Sequence, residues 1–281
     1  MANATLTYSL DTPIAGVATI TGRSSSGAED VVIPDTIGGQ NVVAIGDNAF
    51  AYHTDLTSLD MSGATNLVTI GNYAFRFCSG FPGNLTIPDS VKTIGDNAFY
   101  RCTGFTGSLT IGNSVTTIGN FAFYDCPSFS GNLTIPAGNL TIPDSVTSIG
   151  DGAFYLCAGF TGSLTIGSSV TIIGFGAFGE CHGFTGNLTI GNSVTTIVDY
   201  AFISCYGFTG RLTIPQGAVI NSTAFDGTAF TSLTINYNIT TPTADKVKIG
   251  TAYGTNNALT GSYAPPSGGG GINSSGIIGM V

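Results

Sequence analysis

Apolar and polar residues alternate along this chain in short pieces that recur at a fixed distance. Residues 84–107, NLTIPDSVKTIGDNAFYRCTGFTG, form one complete unit. Its LTI stretch alternates apolar and polar side chains, which predicts a short strand with one buried face. Pro88 and Asp89 are typical of a turn. Val91 and Ile94 then predict a second extended piece whose apolar side chains point inward.

The unit is repeated along most of the chain, and its most regular mark is the dipeptide Ala-Phe. The phenylalanine of this dipeptide stands at Phe50, Phe75, Phe99, Phe123, Phe154, Phe178, Phe202 and Phe225. These positions are 25, 24, 24, 31, 24, 24 and 23 residues apart, which indicates a repeat architecture. The long interval contains a tandem duplication, NLTIPAG (132–138) followed by NLTIPDS (139–145), and we expect an extra loop or bulge there.

A polar residue precedes the turn that carries each Ala-Phe. Asp96 stands directly before residues 97–102, where its carboxylate could accept hydrogen bonds from the first N–H groups of a helix. The equivalent residues are Asp47, Asn72, Asn120, Asp151, Asp199 and Ser222. Only Phe175 departs from the series. The pattern predicts a short helical or 3₁₀ turn in each unit.

One unit of this size cannot bury its apolar face alone, so successive units are expected to stack around one continuous core. We therefore predict a β-rich solenoid of about eight coils of 23–25 residues, with short parallel strands and short helical turns. The expected boundaries are a capping segment at 1–45, the repeats at 46–235 and an irregular, Gly/Pro-rich tail at 236–281.

The repeat pattern L-x-I-P-x-S-V-x-x-I-G-x-x-A-F-x-x-C resembles the BspA-like (Treponema pallidum type) leucine-rich repeat. The match is carried by Leu85, Ile87, Pro88, Ser90, Val91, Ile94, Gly95, Ala98, Phe99 and Cys102. It covers roughly residues 5 to 235 and implies a leucine-rich-repeat solenoid. For function it implies an adhesin or an interaction surface. The sequence departs from the family where the usual leucine after the cysteine is mostly phenylalanine, and the tail beyond Thr240 has no repeat character.

Composition narrows the function classes. Charged residues make up 8% of the chain and the formal net charge is −9, without any basic run. This balance disfavours binding to nucleic-acid backbones and to anionic membranes. No apolar stretch approaches the roughly 18 residues of a membrane-spanning helix, so direct membrane insertion is not expected. The N-terminal MANATLTYSLDTP lacks the features of a Sec-type signal peptide, so we expect action without that route or release by another.

Reactive side chains give little support for catalysis. The cysteines share one repeat position, at Cys78, Cys102, Cys126, Cys157, Cys181 and Cys205. A buried row of free thiols is the preferred interpretation, with a disulfide framework or a metal site as alternatives. His182 follows Cys181, but a cysteine nucleophile needs a base held across a cleft. We predict no catalytic residues, no metal site and no cofactor, and an enzyme is the least favoured class.

A candidate binding surface follows the Ala-Phe dipeptide. Tyr100, Tyr124 and Tyr155 take the same position in three consecutive coils, and Arg101 and Asp125 stand one position further on. Tyrosine and arginine are typical of protein hot spots, and aromatic rings also suit sugars. These five residues are the predicted contact strip for a protein or glycan receptor on a cell surface. The alternative is that the tyrosines only cover the edge of the core.

A second candidate surface is the row of outward threonines in the LTI strands. The row consists of Thr86, Thr110, Thr134, Thr165, Thr189, Thr213 and Thr234. It could form a flat polar binding face, but a role in the solubility of the sheet is the preferred interpretation.

The tail ends in an apolar segment, which is the predicted device for attachment to other chains of a larger assembly. Its apolar residues are Ile272, Ile277, Ile278, Met280 and Val281. We expect a non-enzymatic binding protein on the surface of a virion or a cell, as a receptor-binding or decoration component of a virion or other surface assembly. The alternatives are a bacterial cell-surface or secreted adhesin and a purely structural spacer.

Overall fold

A computed structural model describes residues 3–10, 16–129 and 140–236 as a stacked series of short strands and turns around one core. The strands are β1 (Leu6–Leu10), β2 (Val17–Arg23), β3 (Glu29–Val32), β4 (Thr36–Ile37), β5 (Gln40–Ile45), β6 (Leu56–Asp60), β7 (Thr69–Ile70), β8 (Leu85–Thr86), β9 (Thr93–Ile94), β10 (Leu109–Thr110), β11 (Thr117–Ile118), β12 (Leu140–Ile142), β13 (Ser148–Ile149), β14 (Gly162–Ile166), β15 (Ile172–Ile173), β16 (Phe184–Thr189), β17 (Thr196–Ile197), β18 (Arg211–Pro215), β19 (Val219–Ile220) and β20 (Ser232–Asn236). The predicted solenoid is confirmed.

The longest sheet joins the second extended piece of every coil. Its order is β1-β2-β5-β7-β9-β11-β13-β15-β17-β19, with β4 added antiparallel to β5. From β2 onward the strands of this path pair in parallel, and equivalent residues lie opposite each other, as Ile94, Ile118 and Ile149 do. Since the same residue type recurs at each position, every coil buries the same side chains as its neighbour.

The described LTI strands form a second set of parallel ladders, on either side of residues 130–139. β8 pairs with β10, and β12, β14, β16, β18 and β20 form a separate five-stranded sheet. In the long sheet β11 pairs directly with β13, so that ladder continues across the interval that contains the duplication. Thr134 lies outside the described residues, and Thr141 stands opposite Thr165 in the ladder instead.

The solenoid has about nine turns, because the N-terminal segment forms a coil in front of the repeats. β2 pairs in parallel with β5, and β3 pairs in parallel with β6. Arg23 on β2 is almost fully buried, and its Nη2 donates to both carboxylate oxygens of Asp55 at 2.6 Å. Its Nη1 donates to Glu29 at 3.1 Å. This ion-paired cluster fastens the first coil to the next, and the hydrogen bonds from Arg23 lower the pKa of Asp55.

The turns after each strand are not helical in any coil within the described ranges, which corrects the predicted helical turns. Tyr100 N–H donates to the carbonyl of Asn97 three residues back, at 3.1 Å. Asn97 and Arg101 have φ values of 56° and 55°, in the left-handed region. Their N–H groups donate to the next coil, as that of Arg101 does to the carbonyl of Tyr124 at 2.8 Å. A helix would use these N–H groups within itself, whereas here alternate ones link neighbouring coils.

The polar residues before these turns also link coils instead of capping helices. Asp96 Oδ1 accepts from the N–H of Asn120 at 2.7 Å, and Asn120 Oδ1 accepts from the N–H of Asp151 at 2.8 Å. We call this row the Asx column; it comprises Asp47, Asn72, Asp96, Asn120 and Asp151. Each member supplies an acceptor to the coil that follows, so the row holds the coils at a fixed spacing.

Two stacks of phenylalanine rings run through the core. Phe123 lies between Phe99 and Phe154 with centroid distances of 5.3 and 5.2 Å, and the rings are nearly parallel. The phenylalanines that replace the usual leucine form the second stack: Phe81, Phe105, Phe129, Phe160, Phe184 and Phe208. All of these rings are buried, so the core is one continuous aromatic column pair rather than separate clusters.

Candidate functional site

The candidate site lies on the outward side chains of the turns that follow Ala-Phe, which we call the turn face. Its central feature is a continuous series of rings, the ring column, formed by Tyr52, Phe77, Tyr100, Tyr124 and Tyr155. Tyr100 and Tyr124 are stacked with centroids 4.9 Å apart, and Tyr124 and Tyr155 with centroids 5.6 Å apart. The coil repeat thus places one ring directly above another.

Stacking determines which parts of the rings a partner can touch. Tyr124 has Tyr100 on one face and Tyr155 on the other, with interplanar angles of 4° and 8°. All three side chains are half-buried. The edges and hydroxyl groups are therefore what Tyr124 can offer to a partner, since both of its ring faces are covered.

The tyrosine hydroxyls of this column are suited to donate hydrogen bonds. Partial burial raises the pKa of Tyr124, and the neighbouring Tyr100 and Asp125 add to the effect. Partial burial also raises the pKa of Tyr155, with a further contribution from Glu180. Both hydroxyls consequently keep their protons at neutral pH and can both donate and accept.

Arg76 lies at the N-terminal end of the turn face, among four aromatic rings. Its guanidinium carbon is 5.0 to 5.6 Å from the ring centroids of Tyr52, Tyr73, Phe77 and Tyr100. Distances below about 6 Å are typical of cation–π contacts. Among the described residues, its buried Nε has no hydrogen-bond partner. The rings therefore fix the position of the cation without neutralising its charge.

Arg101 lies one coil further on and is paired. Its Nε donates to Asp125 Oδ2 at 2.8 Å, and its side chain is 47% exposed. Its guanidinium carbon is also 5.9 Å from the ring centroid of Phe77 and 5.8 Å from that of Tyr100. Because the pair is solvent-exposed, its contribution to stability is at most about 1 kcal/mol. The pair sets the shape of the surface more than the stability of the fold.

Several side chains of the turn face stand on left-handed backbone. Tyr52, Phe77, Arg101, Asp125 and Leu156 occupy one repeat position, with φ between 52° and 67°. Residues other than glycine are uncommon in this conformation, which costs them of the order of 1 kcal/mol or more. Glycine would avoid this cost, and it occupies another left-handed position of the same turn at Gly152 and Gly176. At this repeat position, backbone strain therefore coincides with large outward side chains.

The ring column ends where a glycine replaces the aromatic residue. A Cβ at Gly179 would lie 2.5 Å from a ring carbon of Tyr155, so the absent side chain makes room for that ring. At a later position of the same coil, His182 stacks on Tyr206 with centroids 4.6 Å apart, and its Nε2 lies 3.0 Å from Glu180 Oε2. The C-terminal coils therefore carry a different and more scattered set of outward side chains.

A contrasting surface lies along the long sheet, where exposed threonines alternate with buried residues. We call it the sheet face and define it by Thr116, Thr147, Thr171 and Thr195. Each hydroxyl donates to a backbone carbonyl of the preceding coil at 3.1 Å; that of Thr147, for example, donates to Thr116. These hydroxyls are engaged within the fold, which leaves them less available to a partner.

The cysteines form a buried row of free thiols. Each thiol donates to the carbonyl of the Ala-Phe phenylalanine in the preceding coil, as Cys181 does to Phe154 at 3.0 Å. Burial raises the pKa of every one of these thiols, and those of Cys78 and Cys205 rise to about 12. Since nucleophilic cysteines need a lowered pKa, Cys181 is not activated by its neighbour His182.

Residues 3–10, 16–129 and 140–236 contain no group of three or more His, Cys, Asp and Glu that could hold a metal ion. Over the same ranges no helix has the length and apolar character needed to cross a membrane.

The structure brings all five residues of the predicted strip together. Tyr100, Tyr124 and Tyr155 stack, and Arg101 and Asp125 form an ion pair beside them. The apolar tail residues Ile272, Ile277, Ile278, Met280 and Val281 lie outside the described residues. Whether the strip binds a receptor remains a prediction.

The structure places further aromatic residues next to the N-terminal end of the predicted strip. The predicted strip did not include Arg76 or the residues Tyr52, Tyr73 and Phe77, whose rings the structure places around that cation. The signal was present, because Tyr52 and Phe77 occupy the same repeat position as Arg101. What the repeat alone could not give was the contact between neighbouring columns of the turn, which depends on the left-handed backbone.

Comparison with known proteins agrees with this architecture. A family model described as "BspA type Leucine rich repeat region" matches residues 43–139 and 131–244, in six copies. The crystal structure of the T. pallidum leucine-rich repeat protein is similar, with 27% identity and a TM-score of 0.58, covering 72% of this chain and 87% of that one. A leucine-rich repeat protein from Bacteroides ovatus shares the fold at 23% identity and a TM-score of 0.59, covering 89% of this chain and 67% of that one. No curated protein matched the sequence.

Proposed function

The chain belongs to the BspA-type leucine-rich repeat family, and we propose that it is a non-enzymatic recognition protein whose turn face binds a receptor on a cell surface. Solenoids commonly bind partners along surfaces built from equivalent positions of successive coils. The observation that carries the proposal is the ring column, in which Tyr100, Tyr124 and Tyr155 stack from coil to coil at the surface, beside Arg101 and Asp125 on left-handed backbone.

The geometry favours a protein receptor over a glycan. Sugars bind aromatic side chains by lying on a ring face, and both faces of Tyr124 are covered by neighbouring tyrosines. The exposed edges, hydroxyls and the guanidinium of Arg101 suit hydrogen bonding and packing against a protein surface. We therefore propose a protein receptor, with a glycan as the alternative that the binding test distinguishes.

The test is attachment of the labelled full-length chain to a panel of animal cell lines. We expect saturable attachment that an excess of unlabelled chain displaces and that trypsin treatment of the cells abolishes. Treatment of the cells with glycosidases should leave it unchanged. Loss of attachment after glycosidase but not after trypsin would contradict a protein receptor. Absence of saturable attachment to any line would contradict the proposal itself.

We propose that the chain is part of a virion or another surface assembly, as a receptor-binding or decoration component. The apolar end of the tail, residues 272–281, would hold the chain to other subunits. Mass measurement in solution tests this role. We expect an oligomer for the full chain and a monomer for a chain ending at Thr240. Monomers in both cases would contradict assembly through the tail.

A bacterial cell-surface or secreted adhesin is the second candidate, and the likeness to the T. pallidum protein favours it. Protease accessibility on intact producing cells separates the two. Digestion of the chain on intact bacteria would support the adhesin, whereas recovery of the chain in purified particles would support the virion component. The third candidate, a structural spacer, predicts that Tyr124→Ala attaches to cells as well as the unmodified chain does.

A further inference from the structure

From the surroundings of Arg76, we propose that the turn face contains a binding site for a carboxylate of an acidic segment in the protein partner. This inference rests on the proposed function and names the chemistry of the partner at the same surface. Its basis is a cation that the fold positions but does not pair. Acidic protein segments are the ligand class, because guanidinium groups pair with carboxylates through two parallel hydrogen bonds.

Among the described residues, the lack of an ion-pair partner distinguishes Arg76 from the arginines nearest to it. Arg23 is ion-paired with Asp55 and Glu29, and Arg101 is ion-paired with Asp125. In the described part of the chain, no carboxylate lies within ion-pair distance of Arg76, and its contacts are the four aromatic rings. Arg76 thus combines an unpaired charge with a position fixed by aromatic rings, in a chain with only seven lysines and arginines and a net charge of −9.

The rings around Arg76 strengthen its interaction with an anion and hold its side chain in place. Guanidinium groups on aromatic faces are partly desolvated, which strengthens their interaction with an incoming anion. The rings also hold the side chain in place, so less rotamer entropy is lost when the anion binds. Tyr52 is 60% exposed beside the cation and gives apolar contact to whatever carries the carboxylate.

The neighbouring Arg101 explains why the site binds one anion. Its guanidinium carbon lies within 6 Å of the ring centroids of Phe77 and Tyr100, as that of Arg76 does. Two cations therefore flank the same two rings. Asp125 neutralises one of them at 2.8 Å and leaves the other for a ligand. Removal of the Asp125 charge should accordingly add a second cation to the site.

The experiment uses fluorescein-labelled poly-L-glutamate as the probe, with binding measured by fluorescence anisotropy at low ionic strength. Arg76→Gln should weaken binding by tenfold or more. Arg211→Gln removes one charge from an exposed residue on β18, far along the solenoid, and should leave the affinity unchanged. Asp125→Asn should strengthen binding several-fold, and such a gain could not come from misfolding.

Several results would overturn the site. These are no binding of poly-L-glutamate, equal losses in Arg76→Gln and Arg211→Gln, or no gain in Asp125→Asn. Tighter Arg76-dependent binding of hyaluronan, a carboxylated polysaccharide, would replace the acidic protein segment with an acidic glycan. Thermal unfolding of Arg76→Gln checks that its loss of binding is not a loss of fold. If Arg76→Gln still attaches normally to cells and Tyr124→Ala does not, the carboxylate site fails while the proposed function survives.

Discussion

The sheet face and the turn face are built from the same repeat but differ in what their side chains do. On the sheet face, threonine recurs in coil after coil, and each hydroxyl donates to a carbonyl of the preceding coil. On the turn face, residue types change from coil to coil and large side chains stand on left-handed backbone. Regularity thus accompanies a structural role, and variation accompanies the surface that we propose for binding.

The comparison also explains why the Asx column belongs with the structural positions although it lies beside the turn face. Its members alternate between aspartate and asparagine, and each accepts a hydrogen bond from the next coil. Phe175 interrupts the row, and its side chain is 50% exposed. At Phe175 an exposed ring takes the place of an inter-coil hydrogen-bond acceptor, so this position does not follow the structural pattern of the column.

The largest expected effect comes from the core that supports both faces. Phe123→Ala removes a ring stacked between Phe99 and Phe154, so we expect the free energy of unfolding to fall by about 3–5 kcal/mol. Urea denaturation followed by circular dichroism measures it. Cell attachment should also fall, since Tyr124 directly follows this residue in the same turn. A loss below about 1 kcal/mol would show that the ring stack is not tightly packed.

Tyr124→Ala should separate binding from stability. Removal of the central ring of the column is expected to weaken attachment tenfold or more, about 1.4 kcal/mol of binding free energy. The unfolding free energy should change less than in Phe123→Ala, because the side chain is only half-buried. Tyr124→Phe keeps the stack and serves as the control for the hydroxyl. Unchanged attachment in Tyr124→Ala would contradict the assignment of the turn face.

Thr147→Val is the matched change on the sheet face. The substitution keeps the β-branched shape and removes a hydroxyl that donates to the carbonyl of Thr116. We expect the free energy of unfolding to fall by about 1 kcal/mol and attachment to remain unchanged. Thermal unfolding and the cell-attachment assay measure the two quantities. A loss of attachment comparable to that of Tyr124→Ala would remove the distinction between the faces.

Gly179→Ala tests the end of the ring column. Its Cβ would lie 2.5 Å from a ring carbon of Tyr155, so the ring must move away from its stacked position. We expect attachment to weaken a few-fold, with a loss of stability below about 1 kcal/mol, since the displaced ring lies at the surface. Normal attachment would place the end of the contact surface before Tyr155.

Phe175→Asn has the smallest expected effect, and we expect it to stabilise the fold, whereas the other substitutions destabilise it. Asparagine at this position restores an acceptor of the kind that Asn120 supplies to Asp151 at 2.8 Å. We expect the unfolding free energy to rise by about 0.5–1 kcal/mol, the usual net value of one hydrogen bond. Thermal unfolding beside the unmodified chain measures it. A decrease would mean that the exposed ring of Phe175 contributes packing that the Asx column cannot replace.

Much of the fold could be predicted from the sequence because each coil repeats the same local rule. The Ala-Phe period fixed the ladder partners, and the single position shared by the cysteines predicted the buried thiols. The helical turns were wrongly predicted because a polar residue such as Asp96 suits a helix cap and an inter-coil acceptor equally well. The role depends on whether the N–H group that donates to the polar side chain belongs to the same coil or to the next coil. For Asp96 the donor is the N–H of Asn120, in the next coil.

The candidate site could be predicted only in part, for a related reason. The period aligned Tyr100, Tyr124 and Tyr155, since those residues share one position. It did not bring Arg76 together with Tyr52 and Tyr73, because these residues belong to different positions and meet through the left-handed geometry of the turn. Contacts within a column follow from periodicity, whereas contacts between columns require the backbone.

The most direct test of the difference between the faces is site-specific photo-crosslinking on cells. The full chain carries p-benzoylphenylalanine in place of Tyr124 in one sample and in place of Thr147 in another, and is irradiated after attachment. We predict a covalent adduct with a cell-surface protein from position 124 and none from position 147. Adducts of equal yield from both positions, or an adduct from position 147 alone, would contradict the account.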